Sequence, residues 1–166
     1  MTQTLCKTCK GPKAVYACGL CEEVLCKKCA EFLSETFSFQ RKVPASLTHS
    51  CYCSQCFDAQ VAGPLAEYEQ NMERAKEVYI FTKEQTKITR LLSRKNPPYL
   101  VEECEDQQEA ILRLSFLAVA DGFNTLIDVQ VKTRKIVVGS HKKTIFSASG
   151  VPVTINPDEI GNYQDA

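Results

Sequence analysis

An excess of either charge is what this sequence lacks: 20 Lys and Arg are matched by 20 Asp and Glu, for a formal net charge of zero. No global field therefore draws the chain toward nucleic acid or an anionic membrane, and neither is expected as a partner. Long apolar runs are missing as well. Nothing approaches the ~20 residues needed to cross a bilayer, and the opening MTQTLCKTCK has no apolar core of the kind a secretory signal uses. A cytoplasmic setting, where thiols stay reduced, is the expectation. Histidine is scarce. His49 and His141 are the only two, both in loop-like stretches, and neither a Ser-His-Asp arrangement nor a phosphate-cradling glycine loop can be assembled. Acid pairs such as Glu102–Glu103 read as solvated or helix-capping charge. No catalytic residue is expected, and the chain reads as a non-enzyme.

Cysteine is abundant. Ten are present, nine of them between Cys6 and Cys56, with Cys104 alone beyond. In a reducing compartment that density points to metal instead of disulfides. Cys104, by itself, reads as a small buried hydrophobe. The order along the chain is Cys6-x2-Cys9, eight residues, Cys18-x2-Cys21, four residues, Cys26-x2-Cys29, then a long insertion to Cys53-x2-Cys56. Two intervening residues let both sulfurs of a pair reach one tetrahedral ion about 2.3 Å away. Two Zn²⁺ ions with four thiolates each need eight sulfurs, and four such pairs supply them. The four-residue gap is too tight for the second and third pairs to share an ion. A cross-braced arrangement is expected, with Cys6, Cys9, Cys26 and Cys29 on one zinc and Cys18, Cys21, Cys53 and Cys56 on the other. Cys51 and His49 stand close by in HSCYCSQC, but the x2 spacing favours Cys53 as the partner of Cys56. With every position taken by sulfur, both ions would be structural, since catalytic zinc keeps one place open.

This cysteine skeleton, with its four-residue gap, resembles the FYVE/PHD-like treble-clef zinc fingers over roughly residues 1–60. A RING finger, usually with a shorter gap and a histidine ligand, is less similar. The resemblance implies the scaffold. FYVE fingers read phosphoinositides through a basic run and paired histidines, whereas this chain has KAVYACGLC there, with Lys13 alone near the basic run and Tyr16 and Ala17 in the histidine places. Residues 1–57 carry seven Lys or Arg and four acids, which eight thiolates and two divalent ions bring to about −1. That is a poor phosphate clamp, and membrane recognition is not expected. Such a finger folds around its metal, whose binding contributes roughly 10–16 kcal/mol in small fingers. Phe32, Leu33, Phe37 and Phe39 in the insertion predict a short helix packed on the finger, the alternative being an exposed loop that grips a partner.

Beyond the finger, GPLAEYEQNMERAKEV predicts an amphipathic helix over 61–77, with Pro64 in its first turn and Leu65, Tyr68, Met72 and Ala75 on one face. A second domain, 78–157, follows, and 158–166 reads as a tail. VYIF and YLVEEC predict strands. TKEQTKITRLLSRKN predicts a short helix capped by Thr82 and Gln85, with Ile88, Leu91 and Leu92 on one face. DQQEAILRLSFLAVADGF predicts a long helix capped by Asp106 and Glu109 and closed by Gly122. Its apolar residues spread widely enough to cover a sheet and also face another subunit. TLIDVQVKTRKIVV alternates, which would put Ile127, Val129 and Val131 on one face; GSHKK turns the chain and TIFSASGVPVTI returns. The fold class is therefore α+β, a cysteine-rich finger followed by an antiparallel sheet covered by helices.

LAVADGFNTLIDVQV with FSASGVPV is similar to the small bacterial YbjQ-type domains, described as heavy-metal-binding and prone to form oligomeric rings. That resemblance implies a fold and possible homo-oligomerisation; few soft ligands here would hold a metal. Gly122 and Asn124 are read as shaping the helix-to-strand turn. Taken together, the expected function is a zinc-stabilised adaptor with a protein partner. A ubiquitin-ligase-like docking finger and a phosphoinositide-binding module are the alternatives.

Overall fold

The computed structural model describes residues 4–159 and no side chain for Thr86 or Ile88. The proposed tail therefore falls outside the described residues except for Asp158 and Glu159, which belong to a 3-10 turn, Pro157–Glu159. Two units make up the chain, Met1–Gln70 and Asn71–Ala166. The fold mixes helix and sheet in both.

In the first unit the strands are very short. β1 (Tyr16–Ala17) and β2 (Val24–Leu25) form a hairpin, and β3 (Ala30–Phe32) pairs with β4 (Cys51–Cys53). From β4 the chain passes directly into helix α1 (Ser54–Cys56), a π-helical turn (Phe57–Val61) and α2 (Ala62–Ala75). The helical stretch thus begins at the fourth cysteine pair, earlier than the apolar periodicity suggested, and Pro64 lies in its interior. A proline there removes one N–H and crowds the carbonyl four residues back. The widened π turn just before it relaxes that crowding. The insertion forms no helix around its phenylalanines. Phe32 joins β3 and stays half exposed, while Phe37 is buried edge-on against Tyr68, ring centroids 4.9 Å apart. Its one helical turn is Ala45–Leu47, which buries Leu47.

The second unit is built on a sheet of order β5-β7-β8-β6: β5 (Tyr79–Thr82), β6 (Tyr99–Cys104), β7 (Thr125–Val138) and β8 (His141–Val153). Pairing is antiparallel except at the edge, where β5 runs parallel to β7. Helix α4 (Gln107–Ala120) covers one face through Ala110, Leu114, Leu117 and Ala118, packed on Val101, Cys104, Leu126, Val129 and Ala148. Cys104 is fully buried, as a lone core cysteine should be.

Its ends follow from local chemistry. Asp106 Oδ1 accepts from Glu109 N–H at 2.7 Å, and Glu109 Oε2 accepts from Glu105 N–H at 2.7 Å, one residue earlier than a standard capping box. At the other end Gly122 takes φ +86°, with Phe123 N–H on Ala118 O and Gly122 N–H on Val119 O. This is a Schellman motif, which glycine enters without steric cost. Asn124 then clamps both backbone groups of Ile155, at 2.7 and 2.9 Å.

Three expectations are corrected here. The strict alternation of β7 breaks at a bulge: Asp128 sits at φ +53° and the register shifts between Ile127 and Gln130. A bulge inserts one extra residue and resets which side chains face which layer. Leu126 and Val129 therefore face α4, while Ile127 packs on the opposite side with Phe81, Val153 and Ile155. Second, only Gly139 and Ser140 make the turn between β7 and β8, with Gly139 at φ +62°; His141 already belongs to β8, opposite Val138. Third, the helix after β5 is a 3-10 turn (Lys83–Gln85) leading to α3 (Thr86–Thr89), and of its expected apolar face Leu91 is exposed while Leu92 joins the second core. The side chain of Ile88 lies outside the described residues. The Thr82–Gln85 cap is present in part: Gln85 Oε1 accepts from Thr82 N–H at 2.8 Å.

Candidate metal centres

Each cysteine pair sits in a tight loop whose backbone aims two sulfurs at one point. In the first, Lys10 N–H closes onto Cys6 O at 2.9 Å; in the second, Glu22 N–H closes onto Cys18 O at 2.9 Å. The closing residue in both is left-handed, Lys10 at φ +56° and Glu22 at φ +61°. The third pair is closed by Ala30 N–H on Cys26 O at 3.1 Å. The fourth uses the start of α1, where Cys53 Sγ accepts from Cys56 N–H at 3.4 Å in the manner of an N-cap.

The hairpin and the strand pair then bring these loops together in alternation. Lys7 N–H bonds Val24 O at 3.0 Å, drawing the first loop to the end of β2, where Cys26 begins the third. Gly19 N–H bonds Cys51 O at 2.9 Å, drawing the second loop to β4. The result is two tetrads, Cys6, Cys9, Cys26 and Cys29, and Cys18, Cys21, Cys53 and Cys56, with the sulfurs of each within 4.8 Å of one another. Both are positioned to hold a metal ion. Four sulfurs about 2.3 Å from a tetrahedral centre stand about 3.8 Å apart. Cys9 Sγ and Cys26 Sγ are 3.7 Å apart, and Cys21 Sγ and Cys53 Sγ 3.8 Å. Those separations fit a shared ion and are far from the ~2.05 Å of a disulfide.

The electrostatics agree with the geometry. Backbone N–H groups, chiefly that of Cys9, lower the Cys6 thiol to about 6. Burial pushes Cys18 up, but the N–H groups of Cys21, Cys53 and Leu20 outweigh it and hold that thiol also at about 6. Cys29 is pushed up to about 12 by its sulfur contacts with Cys9 and Cys26, and Cys56 is raised by Cys53 in the same way. Each tetrad thus contains one thiol lowered by backbone N–H groups and another raised by the sulfurs around it. A cation at the centre satisfies all four at once.

Cys51 and His49 lie outside both tetrads. Cys51 shares a face of β4 with Cys53 but stands two residues, some 7 Å, further back along the strand. His49 has a packing role that its sequence position does not reveal. Its ring lies against Gly19, so closely that a Cβ on Gly19 would meet His49 Cγ at 2.3 Å. The buried Tyr52 hydroxyl anchors this corner, accepting from His49 N–H at 3.0 Å and donating to His49 O at 2.8 Å. The loop-closing Lys10 and Glu22 were also missed, since neither residue type signals a left-handed backbone.

No protein-family model, no curated protein and no solved structure matches this chain. Among the described residues, no helix is long and apolar enough to cross a membrane.

Proposed function

We propose that the first unit is a treble-clef finger of the FYVE/PHD kind holding two structural Zn²⁺ ions, and that the protein acts as a non-enzymatic adaptor. The observation that carries this reading is the interleaving of the tetrads, first loop with third and second with fourth, at sulfur spacings that suit a tetrahedral ion. All-thiolate tetrahedral sites are the usual choice of zinc among the divalent metals. When bound, each ion links chain segments far apart in sequence and, with four sulfurs already on it, offers no place for a reacting water. The residues around the sites fix loops: Lys10 and Glu22 close them, Tyr52 and His49 brace the second, and Cys53 starts the helix.

Apolar side chains on the finger support a protein partner. Val15 is 76% exposed, Leu5 54% and Phe32 50%, with Tyr16 stacked edge-on against Phe32 at 5.0 Å. The second unit is the candidate for self-association. Metal analysis of the purified full-length protein, together with its mass in solution, tests both halves: two equivalents of zinc and discrete oligomers are expected. One equivalent or fewer would overturn the finger. Discharge of a ubiquitin-charged conjugating enzyme on adding the protein would overturn the non-enzymatic reading.

A further inference from the structure

A groove of about 550 Å³ opens on the face of the second unit's sheet opposite α4, lined by Lys83, Arg90, Arg94, Asp128, Gln130 and Ser149, with Gly150 and Val151 beside them. Its size is that of a small-molecule site. Three cations meet one carboxylate there, and the carboxylate is taken. Arg94 Nε donates to Asp128 Oδ2 at 2.6 Å and Nη2 to Oδ1 at 3.1 Å. The same guanidinium bonds Thr89 O at 3.2 Å, Leu92 O at 3.3 Å and Thr89 Oγ1 at 3.2 Å. Thr89 is fully buried. So Arg94 is a fixed strut whose pairing consumes Asp128, and the groove's remaining charge is positive.

Arg90 makes no ion pair among the described residues, and Lys83 has only a through-space interaction with its neighbour Glu84. Both are exposed. Asp128 itself is held at φ +53° on the β7 bulge. A left-handed backbone is strained for a non-glycine residue, and such residues gather at functional sites. The bulge brings Asp128 and Gln130 to the same groove. Opposite Gln130 in the ladder stands Ser149, adding a hydroxyl to the amide.

Two cations without a salt bridge next to a rigid third suit a compact dianion, and an amide and a hydroxyl beside them suit a hydroxylated remainder. We propose that this groove binds a small phosphate monoester, with Lys83 and Arg90 on the phosphate and Gln130 and Ser149 on the polar remainder. Arg94 positions the wall and does not move.

The test is an amide-resonance titration of the full-length, zinc-loaded protein with ribose 5-phosphate, ribose and inorganic phosphate at low salt. Ribose 5-phosphate is expected to give saturable shifts centred on 128–130 and 149–151, inorganic phosphate weaker shifts at the same amides, and ribose none. Arg90→Ala and Lys83→Ala each weaken binding about tenfold, the loss of one charge-assisted hydrogen bond. Lys135→Ala leaves binding unchanged, because Lys135 shares the ladder face of Val131, which packs toward α4. The proposal is overturned if shifts scatter over the surface lysines, if ribose binds as well as its phosphate, or if Arg90→Ala keeps full affinity.

Discussion

In the first unit no described strand exceeds three residues; in the second, β7 runs for fourteen and β8 for thirteen. The first unit's buried side chains include several cysteines of its two tetrads, Cys6, Cys18 and Cys53. The sheet domain instead buries Leu114, Leu117, Ala118, Leu126 and Val129 in one continuous cluster. With metal on the two tetrads, one stretch of chain would be held by a few strong bonds from sulfur to the ions, the other by many weak apolar contacts. The two therefore respond differently to the same insult. Removing a metal takes away a term comparable to a whole domain's stability, whereas removing one core side chain takes away a fraction of it.

The largest effect expected is from a strong chelator. Stripping the full-length protein should collapse the amide resonances of residues 6–56 while those of β7 and β8 survive, since the metal terms at stake are roughly 10–16 kcal/mol each. A finger that kept its dispersed spectrum would erase the contrast between the two units. The converse insult is Leu114→Ala, in a side chain with no exposure at all. It should lower the stability of the second unit by about 2–5 kcal/mol, read by denaturant unfolding of the α4 resonances, while the metal content stays unchanged.

Gly19→Ala should cost about 1–3 kcal/mol and loosen the second metal centre ahead of the first, because a Cβ would overlap His49. Adding His49→Gly should restore it, as competition with a chromogenic chelator can measure. The smallest change runs the other way. Glu22→Gly relieves a left-handed residue and should stabilise the metal-loaded finger by up to about 1 kcal/mol, seen as slower loss of metal to the chelator from the second centre.

The legible parts of the fold are those with a local cause. Eight cysteines in x2 pairs, with a four-residue gap that argues against the second and third sharing an ion, suited the two interleaved tetrads that the structure assembles. Asp106 and Gly122 marked the ends of α4 for equally local reasons, an oxygen for orphan N–H groups and a residue that tolerates positive φ. The start of the helix at Ser54 was obscured because its first turn carries Cys56 and no apolar stripe.

Other features came from meetings across the chain. Alternation in β7 gave no warning of the bulge at Asp128, whose left-handed backbone places it beside Arg94, thirty-four residues away in sequence. The four residues of VYIF carry no sign of whether their neighbour runs with or against them, so the parallel pairing of β5 with β7 rests on the path of the intervening chain. His49, which the sequence suggests is a loop residue, presses its ring on Gly19. The order of the cysteines alone determined which two sulfurs make each pair, since loop geometry there is a matter of a few bonds. The tertiary structure decided which face each β7 side chain takes, which cations stand beside the sheet without a salt bridge and which glycine a histidine presses on, because each depends on two distant stretches of backbone arriving at the same place.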